Sequence, residues 1–223
     1  MLKLDLHIHS QYSEDGLGSP KEIIKELQKK GLQGMAITDH NTMEGSLKAV
    51  KLASKDFIVI PGMEISTADG HILALNVKED IARSLSVEET VDKILDLGGT
   101  PIIPHLFRNM SGIKEEKLKS IHKKLTAIEV FNGCSLPKTN MKVAKIAHEY
   151  DFGGTGGSDS HDPKYVGCAY TTVDTTDLRK DTIISLIEKK KTWGEGETMP
   201  LDYRRDRMML SIRQYFQRGF KRI

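Results

Sequence analysis

Short apolar runs and amphipathic helical stretches alternate about seven times along the chain, which restricts it to a parallel barrel or a wound parallel sheet. Leu2, Leu4, Leu6 and Ile8 alternate with Lys3, Asp5, His7 and His9. This is the period of a β-strand, so His7 and His9 point to the same side at its end. A polar loop leads to Ser19-Pro20, which opens a helix with Ile23, Ile24 and Leu27 on its buried stripe and Gly31 at its close. Gly34 to Thr38 is a second apolar run, and a helix from Met43 to Ser54 carries Leu47, Val50 and Leu52. Phe57 to Ile60 continues through Pro61-Gly62 into Met63-Glu64-Ile65. After the turn Ala68-Asp69-Gly70, residues His71 to Val77 return as the second arm of a hairpin. Ser86 to Glu89 has the form of a capping box for a helix reaching Leu97. Ile102-Ile103 and Ala127 to Phe131 are strand-like, with helices at Lys114 to Lys124 and Asn140 to Tyr150. Ala169 to Val173 reads as the last strand and Asp177 to Lys190 as the last regular helix.

The chain has 223 residues, room for one sizeable core. Its 38% hydrophobic and 29% charged content is that of an ordinary soluble globular protein, and a net charge of +2 gives no overall reason to expect nucleic acid. Cys134 and Cys168 fit no zinc or redox spacing and read as free thiols in a reducing compartment. No secretory signal and no membrane-spanning stretch is legible, so the expected location is cytoplasmic. The expected organisation is a barrel over residues 1–198 with a basic helix over residues 199–223 docked on it. Oligomeric state is left open.

In βα folds the loops after the strands converge on one face, where catalytic groups collect. Here the first, second, third, fourth and sixth units end in ionisable groups of metal-ligand type: His7 and His9, Asp39 and His40, Glu64, His105, then Asp159 and His161. Imidazoles and carboxylates brought to one face are what a transition-metal centre needs.

The series D-L-H-I-H-S, I-T-D-H-N, P-G-M-E-I, P-H and G-S-D-S-H, spanning residues 5 to 161, resembles the PHP family, the polymerase and histidinol phosphatase superfamily of metal-dependent phosphoesterases. The resemblance implies an α/β fold, a distorted (β/α)7 TIM-like barrel with up to three metals at the C-terminal ends of its strands. It implies His7, His9, Glu64 and Asp159 around a first metal, with Glu64 bridging to a second that His105 also holds. Asp15, His40 and His161 would hold a third. Relatives with a full trinuclear site supply another His after the fifth strand, where this chain has Glu129 and Asn132. Three readings stay open: Glu129 ligates, His71 reaches in from the hairpin, or the second site is weak. The cofactors expected are therefore two or three divalent ions, manganese, iron or zinc, with magnesium also admissible.

The implied chemistry is hydrolysis of a phosphate ester by metal-activated hydroxide. The expected substrate is a small phosphomonoester, a sugar, amino-alcohol or nucleotide phosphate. The alternatives are a phosphodiesterase or exonuclease acting on nucleotides or short oligonucleotides, and a non-catalytic PHP binding or regulatory module. Arg108 is the expected phosphate-binding cation, because a guanidinium fork matches phosphate oxygens. Asp159 or His161 is expected to protonate the leaving oxygen. Asp39 reads either as a carboxylate orienting an imidazole or as a helix N-cap.

Some residues read as structural. His122 and His148 fall in predicted helices among Lys and Glu and read as solvated. The glycines at 153, 154, 156 and 157 lack a Walker lysine and read as permitting close backbone approach to the site. Ser158 and Ser160 have no partnered base. From Asp202 onward, Arg204, Arg205, Arg207, Arg213, Arg218, Lys221 and Arg222 are interleaved with Met208, Met209, Ile212, Tyr215, Phe216 and Phe220 near helical spacing. This is a basic amphipathic helix, to be docked on the barrel, placed on a nucleic acid or anionic substrate, or laid on a membrane surface.

Overall fold

The computed structural model describes residues 1–219, so Phe220, Lys221 and Arg222 of the basic tail lie outside the described residues. The first strand, β1 (Leu2–Ile8), leads to α1 (Pro20–Lys29), β2 (Gly34–Ile37), α2 (Glu44–Val50) and the long β3 (Ile58–Ser66). A hairpin joins β3 to β4 (His71–Leu75), followed by α3 (Val87–Asp96), β5 (Thr100–Ile103), α4 (Glu115–Ile121) and β6 (Ala127–Asn132). The chain continues through α5 (Pro137–Glu149), β7 (Gly153–Gly157), β8 (Ala169–Val173), α6 (Lys180–Glu188), β9 (Thr192–Gly196) and α7 (Leu201–Gln217).

The strands form one sheet in the order β7-β6-β5-β4-β3-β2-β1-β8-β9. Its seam closes at β1 in two ways. Leu2, Lys3 and Leu4 pair with β8. Beyond them, the His9 N–H donates to Ser160 O at 2.9 Å and the Asp159 N–H to His7 O at 2.7 Å. The end of β1 is thereby laid beside the segment that follows β7, which brings the motifs at both ends of the series together. The result is a nearly closed, distorted TIM-like barrel, as expected.

Three expectations need correction. An all-parallel barrel is not formed, because β4 runs antiparallel to both β3 and β5, β8 antiparallel to β1, and β9 antiparallel to β8. Residues 169–173 are not the last strand. β9 follows, and its sequence T-W-G-E-G carries no apolar alternation because it buries only Thr192 and Gly194. Helix α2 is shorter than the expected Met43 to Ser54; it turns its small residues Gly45, Ser46 and Ala49 inward and leaves Leu47 and Val50, and Leu52 just beyond its end, exposed. A Cβ on Gly45 would collide with the Asp39 carboxylate, and Ser46 Oγ accepts the Gly62 N–H at 2.8 Å, so α2 approaches β3 too closely for large side chains.

Helices α1 and α3 start where capping dictates. Ser19 with Glu22 and Ser86 with Glu89 each form a reciprocal capping box. Ile23 and Leu27 of α1 pack with Met35 and Ile37 of β2, while Val87, Val91 and Ile94 of α3 pack with Ile72 and Ala74 of β4. Among the described residues, no helix is long and apolar enough to cross a membrane.

Candidate metal centre

Glu64 stands at the centre of a ring of histidines. Its Oε1 lies 2.9 Å from His105 Nε2 and 2.8 Å from His71 Nδ1. Its Oε2 lies 3.3 Å from His7 Nε2, 3.2 Å from His9 Nε2 and 3.3 Å from His40 Nδ1. All these groups except His40 and His71 are buried, and those two are nearly so. The β3–β4 hairpin delivers both Glu64 and His71.

One hydrogen bond fixes what His7 presents. Its Nδ1–H donates to Glu129 Oε1 at 2.9 Å, so in the neutral ring Nε2 is the nitrogen left without a proton, facing Glu64 Oε2, His9 Nε2 at 3.2 Å and Asp159 Oδ1 at 3.6 Å. His9 Nε2 is in turn 3.4 Å from Asp159 Oδ1. Donor atoms bonded to one tetrahedral ion at about 2.1 Å stand ~3.4 Å apart. A carboxylate behind a ligating imidazole is the usual support of such a ligand. The residues fit a divalent metal on this ground.

His161 repeats the argument. A carbonyl can only accept, so its Nδ1–H donates to Asp159 O at 3.0 Å and its bare Nε2 faces Asp15 Oδ2 at 3.0 Å. Two acceptors face each other there, an arrangement that calls for a cation or a proton. Donor atoms of His9, Asp15, His40 and His161 lie within 4.8 Å of one another, as do those of His7, His105 and Asp159, of His7, His9 and Glu64, and of His40, Glu64 and His71. The eight expected ligands therefore gather in one contiguous centre, with His71 among them.

The remaining expected residues have defined partners. Glu129 Oε2 accepts the His105 backbone N–H at 2.8 Å and Asn132 Nδ2–H at 2.9 Å, so both of its oxygens are engaged. Asn132 also donates to Asp159 Oδ2 at 3.2 Å. Arg108 Nη1 lies 2.6 Å from Asp159 Oδ2, and its Nη2 donates to Asn132 Oδ1 at 2.8 Å. Asp39 accepts the Ser10 N–H at 2.6 Å and the Ser10 hydroxyl at 2.7 Å, bracing the loop that carries His9. Asp39 does not cap α2, whose N-cap is Met43 with no side-chain bond. His122 hydrogen-bonds to Lys119 O, and the His148 ring stacks on Trp193, both away from the centre. Cys134 and Cys168 are free thiols.

Electrostatics follow from this packing. Burial pulls His9 down, but the adjoining Asp159 and Glu64 outweigh it and push it up to about 9; His7 is likewise held well above its ordinary value against burial, by Asp159, Glu129 and Glu64. Burial, with Arg108 nearby, pushes His105 down to about 4. Against burial, Arg108 and His7 hold Asp159 well below the usual carboxylate range, and His71, His40 and His7 do the same for Glu64.

Asp5, Ser10 and Arg207 support the centre without being among the expected site residues. Asp5 is fully buried behind His7 and accepts the backbone N–H groups of Ser158 at 2.9 Å and Gly167 at 2.7 Å, while burial pushes its carboxyl up to about 6. It shares the His7–His9 side of β1, so the period-two pattern contained the signal. Arg207 Nη2 lies 3.0 Å from Asp15 Oδ2, a contact between residues 192 apart in sequence that no local pattern reveals.

The PHP domain pattern matches residues 5–163, and a PHP-associated pattern matches residues 137–192. The uncharacterized protein MJ0417 of Methanocaldococcus jannaschii is 32% identical over 194 residues, covering 82% of this chain and 76% of that protein. A two-domain Bacteroides vulgatus protein, containing a predicted PHP-like metal-dependent phosphoesterase, shares the fold with a TM-score of 0.75 at 19% identity, over 88% of this chain and 65% of that one. The lesion-specific endonuclease PfuEndoQ of Pyrococcus furiosus shares it with a TM-score of 0.63 at 16% identity, over 84% of this chain and 56% of that one. Motif order, barrel and converging ligands agree with the sequence match: the chain belongs to the PHP domain family.

Proposed function

We propose that the chain is a metal-dependent phosphoesterase whose substrate is a small phosphomonoester, a sugar, amino-alcohol or nucleotide phosphate. The observation that carries this reading is Glu64, a buried carboxylate whose two oxygens face five imidazoles. Bound divalent ions supply positive charge to phosphate oxygens and lower the pKa of water, which are the two requirements of ester hydrolysis. We assign His7, His9, Glu64 and Asp159 to one ion, and Asp15, His40 and His161, supported by His9, to another. His105 converges with His7 and Asp159, and His71 with His40 and Glu64, so His105 would hold a second ion while His71 would support the one beside His40.

The protein side of the chemistry is orientation and charge. Glu129 keeps His7 in the tautomer that presents Nε2, and Asp5 pins the backbone on which His7 sits. Arg108 has five N–H donors, enough to hold Asp159 and Asn132 and still offer one to a phosphate oxygen. Asp159 and His161, expected as carriers of the leaving-group proton, fit ligation better. Asp159 is kept ionised by Arg108, and the His161 proton is committed to a backbone carbonyl.

A second reading, a phosphodiesterase on nucleotides or short oligonucleotides, is favoured by the arginines of α7 at the rim, and the endonuclease PfuEndoQ is built on the same fold. A binding module without catalysis is disfavoured by the full set of converging ligands. The test is product release from a panel of phosphomonoesters, dinucleotides and oligonucleotides, with added manganese and after chelation. We expect chelator-sensitive turnover of monoesters, lost on substituting His7 and His9 together with the fold retained. Oligonucleotide shortening without monoester turnover would favour the second reading. Metal-loaded protein silent on every substrate would sink both.

A further inference from the structure

Every other α-helix of the described residues buries side chains, whereas α7 buries none. A helix that merely completed the core would bury its apolar stripe. Here Met208, Met209 and Phe216 are 56%, 58% and 59% exposed. What α7 touches instead is the rim of the metal centre, at three loops that carry or flank its residues. Arg204 Nη1 donates to Ser135 O at 2.9 Å after β6, and the Tyr203 ring lies 4.2 Å from that of Tyr165 after β7. After β1, Arg207 donates to Asp15 O at 3.3 Å and pairs with Asp15 Oδ2 at 3.0 Å.

Arg207 is the residue this arrangement singles out. Its side chain is only 17% exposed, and the Asp15 oxygen it holds is the one that faces His161 Nε2 at 3.0 Å. The guanidinium therefore stands one carboxylate oxygen away from the point where His9, Asp15, His40 and His161 converge. Arg108 occupies a different flank of the same centre, on Asp159. Once Asp15 shares its charge with a bound cation, its hold on the guanidinium weakens. The fork of its guanidinium matches phosphate oxygens.

We propose that Arg207 is a phosphate-binding residue, and α7 thereby a wall of the substrate site. Its guanidinium takes an oxygen of a phosphate seated over the Asp15–His40–His161 position, while Arg108 holds the group from the side of Asp159. This rests on the metal-centre reading above. The test uses the full chain loaded with manganese, with inorganic phosphate as the probe, followed by titration calorimetry, metal content and thermal melting. Arg207→Gln is expected to weaken phosphate binding at least about tenfold, with manganese per chain and melting temperature unchanged. Arg207→Lys should recover part of the loss. Arg205→Gln should have no effect, since Arg205 pairs with its exposed neighbour Asp206. Unchanged phosphate affinity in Arg207→Gln overturns the proposal. So does a loss of manganese in that variant, which would make Arg207 a support for Asp15, or an equal loss in Arg205→Gln, which would make the effect a general one of charge. Wild-type protein that takes up no manganese overturns the metal-centre reading beneath it; one that takes up manganese but binds no phosphate overturns only this proposal.

Discussion

Glu129 determines what His7 can do. With its Nδ1–H given to that carboxylate, His7 offers a lone pair to the centre, and in the absence of a cation the surrounding carboxylates attract protons instead. His9 shows the consequence. Its ordinary value of 6.5 rises to about 9 in the metal-free fold, so its contribution to stability is complete below 6.5 and is lost as pH rises through about 9. A metal must displace that proton, since only the neutral imidazole ligates. Manganese affinity is therefore expected to climb between pH 6.5 and about 9 and to be accompanied by proton release, read as a buffer-dependent enthalpy in calorimetry. Affinity that stays flat over that range would refute the assignment of His9. At this scale much was legible: seven of the eight candidate ligands follow strand signals, and strand ends converge in a βα fold whatever the loops do, whereas Asp15, in the loop after β1, came only with the family resemblance. Asp5 was visible in the same pattern, but its partners, the backbone N–H groups of Ser158 and Gly167, lie more than 150 residues away and left no local trace. The link from Arg207 to Asp15 had no local trace, because it depends on where the last helix settles.

Among the elements, β7 is tightly constrained. Its sequence G-G-T-G-G would be a poor strand if propensity decided, yet it is fully buried between neighbours. A Cβ on Gly157 would collide with the Cβ of His7, and one on Gly156 with the carbonyl of Tyr170. Gly157→Ala is thus expected to destabilise the protein by about 1–3 kcal/mol through overpacking and to weaken metal binding by displacing His7. Denaturant unfolding and a manganese titration check both; a variant matching the wild type in both measurements would mean that β1 yields easily. Close approach by these glycines was readable from composition. The antiparallel β8–β9 pair was not, because a strand that buries a threonine and a glycine carries no hydrophobic period, and the inward face of α2 was hidden because small side chains were what fitted.

For the whole molecule, the centre is part of the fold rather than an attachment to it. The carboxylates of Asp15, Glu64 and Asp159 are buried together among the imidazoles, so a bound cation is expected to stabilise the fold. At a free concentration about 100-fold above its dissociation constant, one bound ion contributes about 2.7 kcal/mol. In a chain of this size that corresponds to a melting temperature about 5–10 °C above that of the chelated protein. A thermal melt with manganese and with chelator measures it, and an unmoved transition would show that the ions add nothing to the fold.

The seam of the barrel has a consequence for synthesis. Asp5 meets the Ser158 backbone across 153 residues, and the pair His7 and His9 meets Asp159 across nearly the same span. At a ribosomal pace of about 5–20 residues per second, the histidine pair emerges roughly 8–30 s before its carboxylate partner. In that interval the pair can gather Glu64 but not Asp159. A chain that stalls before Asp159 lacks the residues that close the seam against His7 and His9.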